Sequence, residues 1–321
     1  SPGYPRAVAQ DKDRRAALAA LISAGVMIAQ QVGSKATRDA LFLSSFDAED
    51  LPRVVIASAA ASMVAVFAAS RAFARFGPAR VVPFSFGMSG LLYLAEWLLV
   101  QGAPRPVAVV LYLHTAVFGA LVISGFWSVV NERFDPHSAK GMVSRIGTGA
   151  TVGGVVGGLV AWRVGEAFDA NAMLIVLAGL NVLAAFGVAR IGGGEGEHED
   201  PVSASTSGLR VLLKAPYLRS LAAIVVLTAI SAGLLDYAFK AEAARQFEQG
   251  SQDMLSFFAI FHVGAAVLSL VLQTGAAKPA LERLLGSHLH DRTKQRELVL
   301  GSFHAAPLTA LNSLRRTQIK A

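Results

Sequence analysis

The chain has 321 residues, of which 54% are hydrophobic and only 16% charged, with a net charge of +7 and no cysteine. A soluble chain carries about a quarter charged residues, so water is not its main solvent, and the lack of cysteine excludes a disulfide framework and thiolate metal or redox chemistry. The basic residues fall between apolar stretches rather than on one face of a soluble domain, which argues against nucleic acid as a partner and for the lipid bilayer.

Residues 1–15 are polar and basic and read as a cytoplasmic N-terminal segment. Apolar runs follow at about 16–33, 53–74, 81–102, 106–130, 142–162, 170–190, 217–239 and 254–276. Each is near the ~20 residues that a helix needs to cross a hydrocarbon core of about 30 Å. The runs lack the alternation of barrel strands, and backbone groups in lipid must be satisfied within the segment. The expected fold class is therefore an all-α polytopic membrane protein with about eight transmembrane helices. Pro52, Pro78, Pro104 and Pro136 mark the joints.

Distributing the basic residues over this scheme gives an alternation. One side receives Arg14 and Arg15, then Arg71, Arg75 and Arg80, then Arg133, Lys140 and Arg145, then Arg190, Arg210 and Lys214. The other receives few cations and the acids Asp47, Glu49, Asp50, Glu166 and Asp169. By the positive-inside rule both termini are cytoplasmic, in a bacterial inner membrane.

Six spans (16–190), a Gly-, Glu- and Ser-rich cytoplasmic linker (191–216) and two further spans (217–276) give the layout of a major-facilitator-like helix bundle, in which two six-helix halves rock about a central site. The second half is incomplete, and the basic stretch 277–321 reads as a poorly ordered cytoplasmic tail, the mark of a truncated or frame-shifted gene.

Ionisable groups inside spans cost about 2.5–3.5 kcal/mol each on insertion scales, so each needs a partner, water or a function. Gln31, Lys35 and Arg38 share one helical face, and Asp39, four residues after Lys35, is placed to neutralise it. A snorkelling interfacial cluster and a substrate site account for this face equally well. In the seventh span Asp236 and Lys240 are again four apart, and Arg-Asp39-Ala-Leu-Phe is echoed by Leu-Asp236-Tyr-Ala-Phe at the equivalent place in the second half.

Glu96, near the middle of the third span, His114 in the fourth and His262 in the eighth form a possible proton relay, although helix contacts explain them more simply. Asn131 and Glu132 stand where the fourth span meets the inner loop. The fifth span has a nucleotide-fingerprint look but no strand before it; Gly149, Gly153 and Gly157, four apart, read as a packing stripe. No spacing marks a metal site, no cofactor is implied, and no nucleophile is grouped with a base, so an enzyme is not expected.

The run Phe126-Trp127-Ser-Val-Val-Asn131-Glu132, with Ala139-Lys140 and Arg145-Ile-Gly147-Thr-Gly149-Ala150, resembles the fourth- and fifth-helix signature of the ATP/ADP (NTP/NDP) exchange transporters of plastids and intracellular bacteria. Lys35-Ala-Thr-Arg38-Asp39-Ala-Leu is similar to their first-helix segment, and Asp236 with Lys240 to an acid-and-lysine pair in their seventh. The resemblance covers about residues 16–276. It implies a twelve-helix carrier exchanging nucleotides, with Lys35, Glu132, Asp236 and Lys240 at the substrate. The seventh-helix acid is Asp where the family leads one to expect Glu, and four helices are missing.

The function expected is thus a transporter exchanging nucleotides or a related organic anion by alternating access. A proton-coupled facilitator for another metabolite and a truncated, non-transporting membrane protein are the alternatives.

Overall fold

The computed structural model describes residues 4–134, 136–192, 216–247 and 252–275. They are almost entirely helical: α1 (Tyr4–Ser45), a 3₁₀ turn (Ala48–Asp50), α2 (Leu51–Phe76), α3 (Pro78–Val100), α4 (Pro104–Arg133), α5 (Pro136–Ala167), α6 (Ala172–Ile191), α7 (Pro216–Gln246) and α8 (Gln252–Gly275). Every apolar run of the sequence lies in a helix. Pro52, Pro78 and Pro104 sit in first turns, where the missing amide hydrogen breaks no helical bond. Gly77 closes α2 with φ at +77°, a conformation that favours glycine.

Among the described residues six helices, not eight, are long and apolar enough to cross a membrane: Arg14–Ser45, Ala48–Phe76, Pro78–Val100, Pro104–Arg133, Ala172–Ile191 and Pro216–Gln246. The other two expected spans are helical but fall short for different reasons. In α5 the glycines that tighten packing contribute little apolar character, and in α8 the apolar stretch among the described residues is Asp253–Ser269. α1 is continuous from Tyr4 to Ser45, and its membrane-length apolar stretch begins at Arg14. The linker (193–215) and the tail (277–321) lie outside the described residues. Ser1–Val267 form one compact unit and Leu268–Ala321 another, of which the described part is the last turns of α8.

α1 is the hub of the first unit, packing on α5, α6 and α4; α3 packs on α6 and α4, and α2 on α4. Because lipid is as apolar as leucine, close approach and hydrogen bonds hold such helices together rather than the removal of greasy surface from water. The sequence supplies close approach on α5. A side chain at Gly149, Gly153 or Gly157 would strike the carbonyls of Leu21, Gly25 and Ala29, themselves four apart on α1.

The core has two layers along the helix axes. One gathers Ala36–Leu43 of α1 with Leu111, Tyr112, Leu174, Leu177 and the starts of α8; the other gathers Ala16–Met27 with Phe86, Phe126, Ile146 and Val188. Between the layers, buried polar side chains replace apolar ones on four helices: Gln30 and Ser34 on α1, Ser89 on α3, His114 on α4 and Asn181 on α6. A polar belt thus separates the two apolar layers.

Candidate functional site

Asp39 is only 2% exposed, so its charge requires partners. Arg38, the next residue, donates from Nε to Oδ1 at 2.9 Å and reaches the same oxygen from Nη2 at 2.8 Å. On the other side Lys240 of α7 places Nζ 3.1 Å from Asp39 Oδ2 and 2.6 Å from Asp236 Oδ2. The Arg38 guanidinium lies 4.2 Å from the ring centroid of Tyr112 on α4, a cation–π contact that fixes its plane. The result is an alternating chain, Arg38, Asp39, Lys240, Asp236, joining α1 to α7. Lys240 is buried, whereas Asp236 keeps 56% of its side chain exposed and forms the open end.

Lys35 does not have the partner expected for it. Asp39 is turned toward Arg38 and α7, and Lys35 is exposed, with no ion pair to any described residue. Three cations (Lys35, Arg38, Lys240) therefore face two carboxylates (Asp39, Asp236), and the unmatched positive charge is on the open side chain. Asp39 and Lys240 each lie six residues before the end of their helix, about 9 Å along the axis, so the cluster stands toward one end of the bundle.

A second polar network runs through the central belt. Ser34 shares a 2.7 Å hydrogen bond with the Tyr93 hydroxyl, and Gln30 Nε2 donates to the same oxygen at 3.2 Å. The Tyr93 ring lies 4.4 Å from that of His114, whose Nδ1 is 2.9 Å from Glu96 Oε1 and whose Nε2 is 2.9 Å from Ser89 Oγ. Glu96 sits one turn before the end of α3 at Val100 rather than at mid-span, and its Oε2 is buried without a partner among the described residues.

Of the three residues grouped as a possible relay, the structure brings Glu96 and His114 together. His262 is separate: it is half-buried on α8 and feels the charges of Asp39, Lys35, Lys240 and Arg38 instead. Glu132 is also separate from the residues with which it was grouped. It is twenty residues beyond Tyr112 on α4, about 30 Å along the helix, at the opposite end from the Arg38–Asp39–Lys240 cluster.

Sequence reasoning missed Tyr112 and Tyr93, which orient the cations and the histidine. Tyrosines within an apolar run, each needing a hydroxyl partner, were the available signal. It also missed that the paired glycines 153–154 and 157–158 give α5 two small faces. Gly153 and Gly157 face the α1 backbone and Gly158 faces Ala259 and Val263 of α8, while Gly154 lies between Ala266 of α8 and Ile28 and Val32 of α1.

Comparison of the chain with models of known families, with curated proteins and with solved structures gives no match.

Proposed function

We propose that the chain is a membrane transporter that exchanges phosphate-bearing organic anions, of the ATP/ADP nucleotide type, by alternating access, with α1 and α7 as the moving contact. In this reading it sits in a bacterial inner membrane with both termini cytoplasmic, and the two helices hold equivalent places in the halves of a major-facilitator-like bundle. The observation that carries the reading is the buried Asp39–Lys240 bridge between α1 and α7, at 3.1 Å, with Lys35 exposed beside it and ion-paired to no described residue.

The chemistry follows from the charge count. A polyphosphate meets Lys35 first, then offers oxygens that replace Asp39 and Asp236 on Arg38 and Lys240; Arg provides a planar fork and Lys a compact charge for such oxygens. Substitution of the carboxylates by phosphate releases α7 from α1. Without substrate, separating the two helices breaks the Asp39–Lys240 bridge and leaves Asp39 to Arg38 alone and Lys240 to the partly exposed Asp236 alone, at a cost of up to about 3–5 kcal/mol, the range for an uncompensated buried charge. A cost of that size slows the empty transition by up to roughly 10²–10⁴-fold, and an empty carrier that cannot return makes transport an exchange. No bond is made or broken.

In proteoliposomes, uptake of labelled ATP should require ADP or ATP on the other side, and Lys35→Ala should abolish it while the protein still elutes as a folded species. Uptake unaffected by Lys35→Ala would remove the assigned role.

A second reading, a proton-coupled facilitator, is favoured by the buried Glu96–His114 pair, whose second carboxylate oxygen has no partner among the described residues. Uptake driven by a pH gradient with nothing on the trans side, and lost in Glu96→Gln, would select it.

A further inference from the structure

α2 contains no acid and α3 none before Glu96, whereas Arg71, Arg75 and Arg80 flank the Gly77 turn that joins them. Among the described residues none of the three has a carboxylate partner. Arg71 donates to the Phe67 carbonyl at 3.3 Å, and the Arg75 guanidinium lies 5.2 Å from the Phe76 ring centroid. A cationic group of this kind, with no carboxylate partner among the described residues at the end of a membrane helix, is placed to attract an anion from outside the chain.

The helices leave room for more than an ion. α2 and α3 each lean on α4 more than on each other, and a cleft of about 580 Å³ opens between them, within the range of about 300–1,000 Å³ of ligand sites. Ala65, Ala68, Ala69 and Ala72 line its α2 wall, falling on one helical face, and their small side chains are what leave the space. Phe84 forms the α3 wall and Phe118 of α4 the floor, while Arg80 stands at the turn end. From Phe76 to Ala65 the cleft follows eleven residues of α2, about 16 Å, or about half of a 30 Å hydrocarbon core. An apolar trench one leaflet deep with Arg80 at its mouth, and Arg75 and Arg71 on the adjoining turns of α2, has the charge and the length of one molecule class.

We propose that this cleft binds an anionic phospholipid, with one acyl chain laid along the alanine face and the phosphate on Arg80, Arg75 and Arg71 lying in the same headgroup layer. The inference is independent of the transport reading, since it uses neither α1 nor α7. Each arginine near such a headgroup is worth about fivefold in binding of an anionic over a zwitterionic lipid.

The test is native mass spectrometry of the detergent-purified protein with equal amounts of phosphatidylglycerol and phosphatidylcholine carrying the same chains. The expected result is selective retention of phosphatidylglycerol, a roughly fivefold loss of that preference in Arg80→Gln, and loss of both lipids in Ala68→Phe, which fills the trench. Arg80 and Ala68 are exposed, so neither change disturbs a packed contact; unchanged circular dichroism checks this. Equal retention of the two lipids, or an unchanged preference in Arg80→Gln, overturns the proposal. Displacement of phosphatidylglycerol by inorganic phosphate alone would leave an anion site without a chain and also overturn it. So would disulfide cross-linking of Ala68→Cys between two copies in the membrane, which would put a second chain in the cleft.

Discussion

α1 and α7 are both long enough to span a membrane, and α7 is the more apolar, yet 44% of the most apolar stretch of α1 is buried and none of that of α7 is. Where Ala20, Gly25, Ala29, Gly33 and Ala36 let α1 settle against α5 and α6, α7 presents Ile224, Leu227, Ile230 and Leu234 outward. In a solvent as greasy as the helices, apolarity does not bury a helix; small residues and polar partners do. α7 meets the rest through its polar end, where Lys240 and Ala243 are buried and Phe239 stacks on Phe261 of α8 at 4.2 Å. One region is held by backbone proximity, the other by charge and a few rings.

This contrast can be broken at its strongest point first. Asp39→Ala leaves Lys240 buried without its α1 partner and is expected to cost about 3–5 kcal/mol in denaturant or thermal unfolding; a companion Lys240→Met should recover part of that loss. Gly153→Leu forces a side chain into the Gly25 backbone and should cost about 1–3 kcal/mol or more, whereas Gly233→Leu on α7, with nothing within 4 Å, should leave the melting midpoint unchanged. Equal losses at the two glycines would mean that α7 is packed like α1. Tyr93→Phe removes the hydroxyl shared by Gln30 and Ser34 and should cost about 0.6–1.7 kcal/mol, the range of interhelical hydrogen bonds in membranes. Smallest of all, Leu227→Ala on the exposed face of α7 should change stability by less than about 0.5 kcal/mol.

The helices were legible in the sequence because a stretch of apolar residues bounded by proline has few other conformations in lipid. Their number was less so: α5 trades apolar character for glycine, and the same substitution that weakens the hydropathy signal creates its two packing faces. Asp236 and Lys240 were readable as a pair because four residues along a helix bring side chains together, and they lie 2.6 Å apart. The same rule misled at Lys35 and Asp39. Spacing along one helix cannot reveal that Arg38 and a lysine on α7 compete for the same carboxylate, and in the fold they win. Grouping Glu132 with the cluster failed for a related reason, since membership of one motif does not fix the depth at which a residue sits along a helix.

The central claim, that the Lys35, Arg38 and Lys240 cations hold an anionic cargo, is tested most directly by thermal unfolding in detergent with ATP, an organic acid and a sugar. The account predicts that ATP raises the midpoint of the wild-type protein and fails to raise that of Lys35→Ala, while the sugar moves neither. An ATP shift of equal size in both proteins, or none in either, would contradict it.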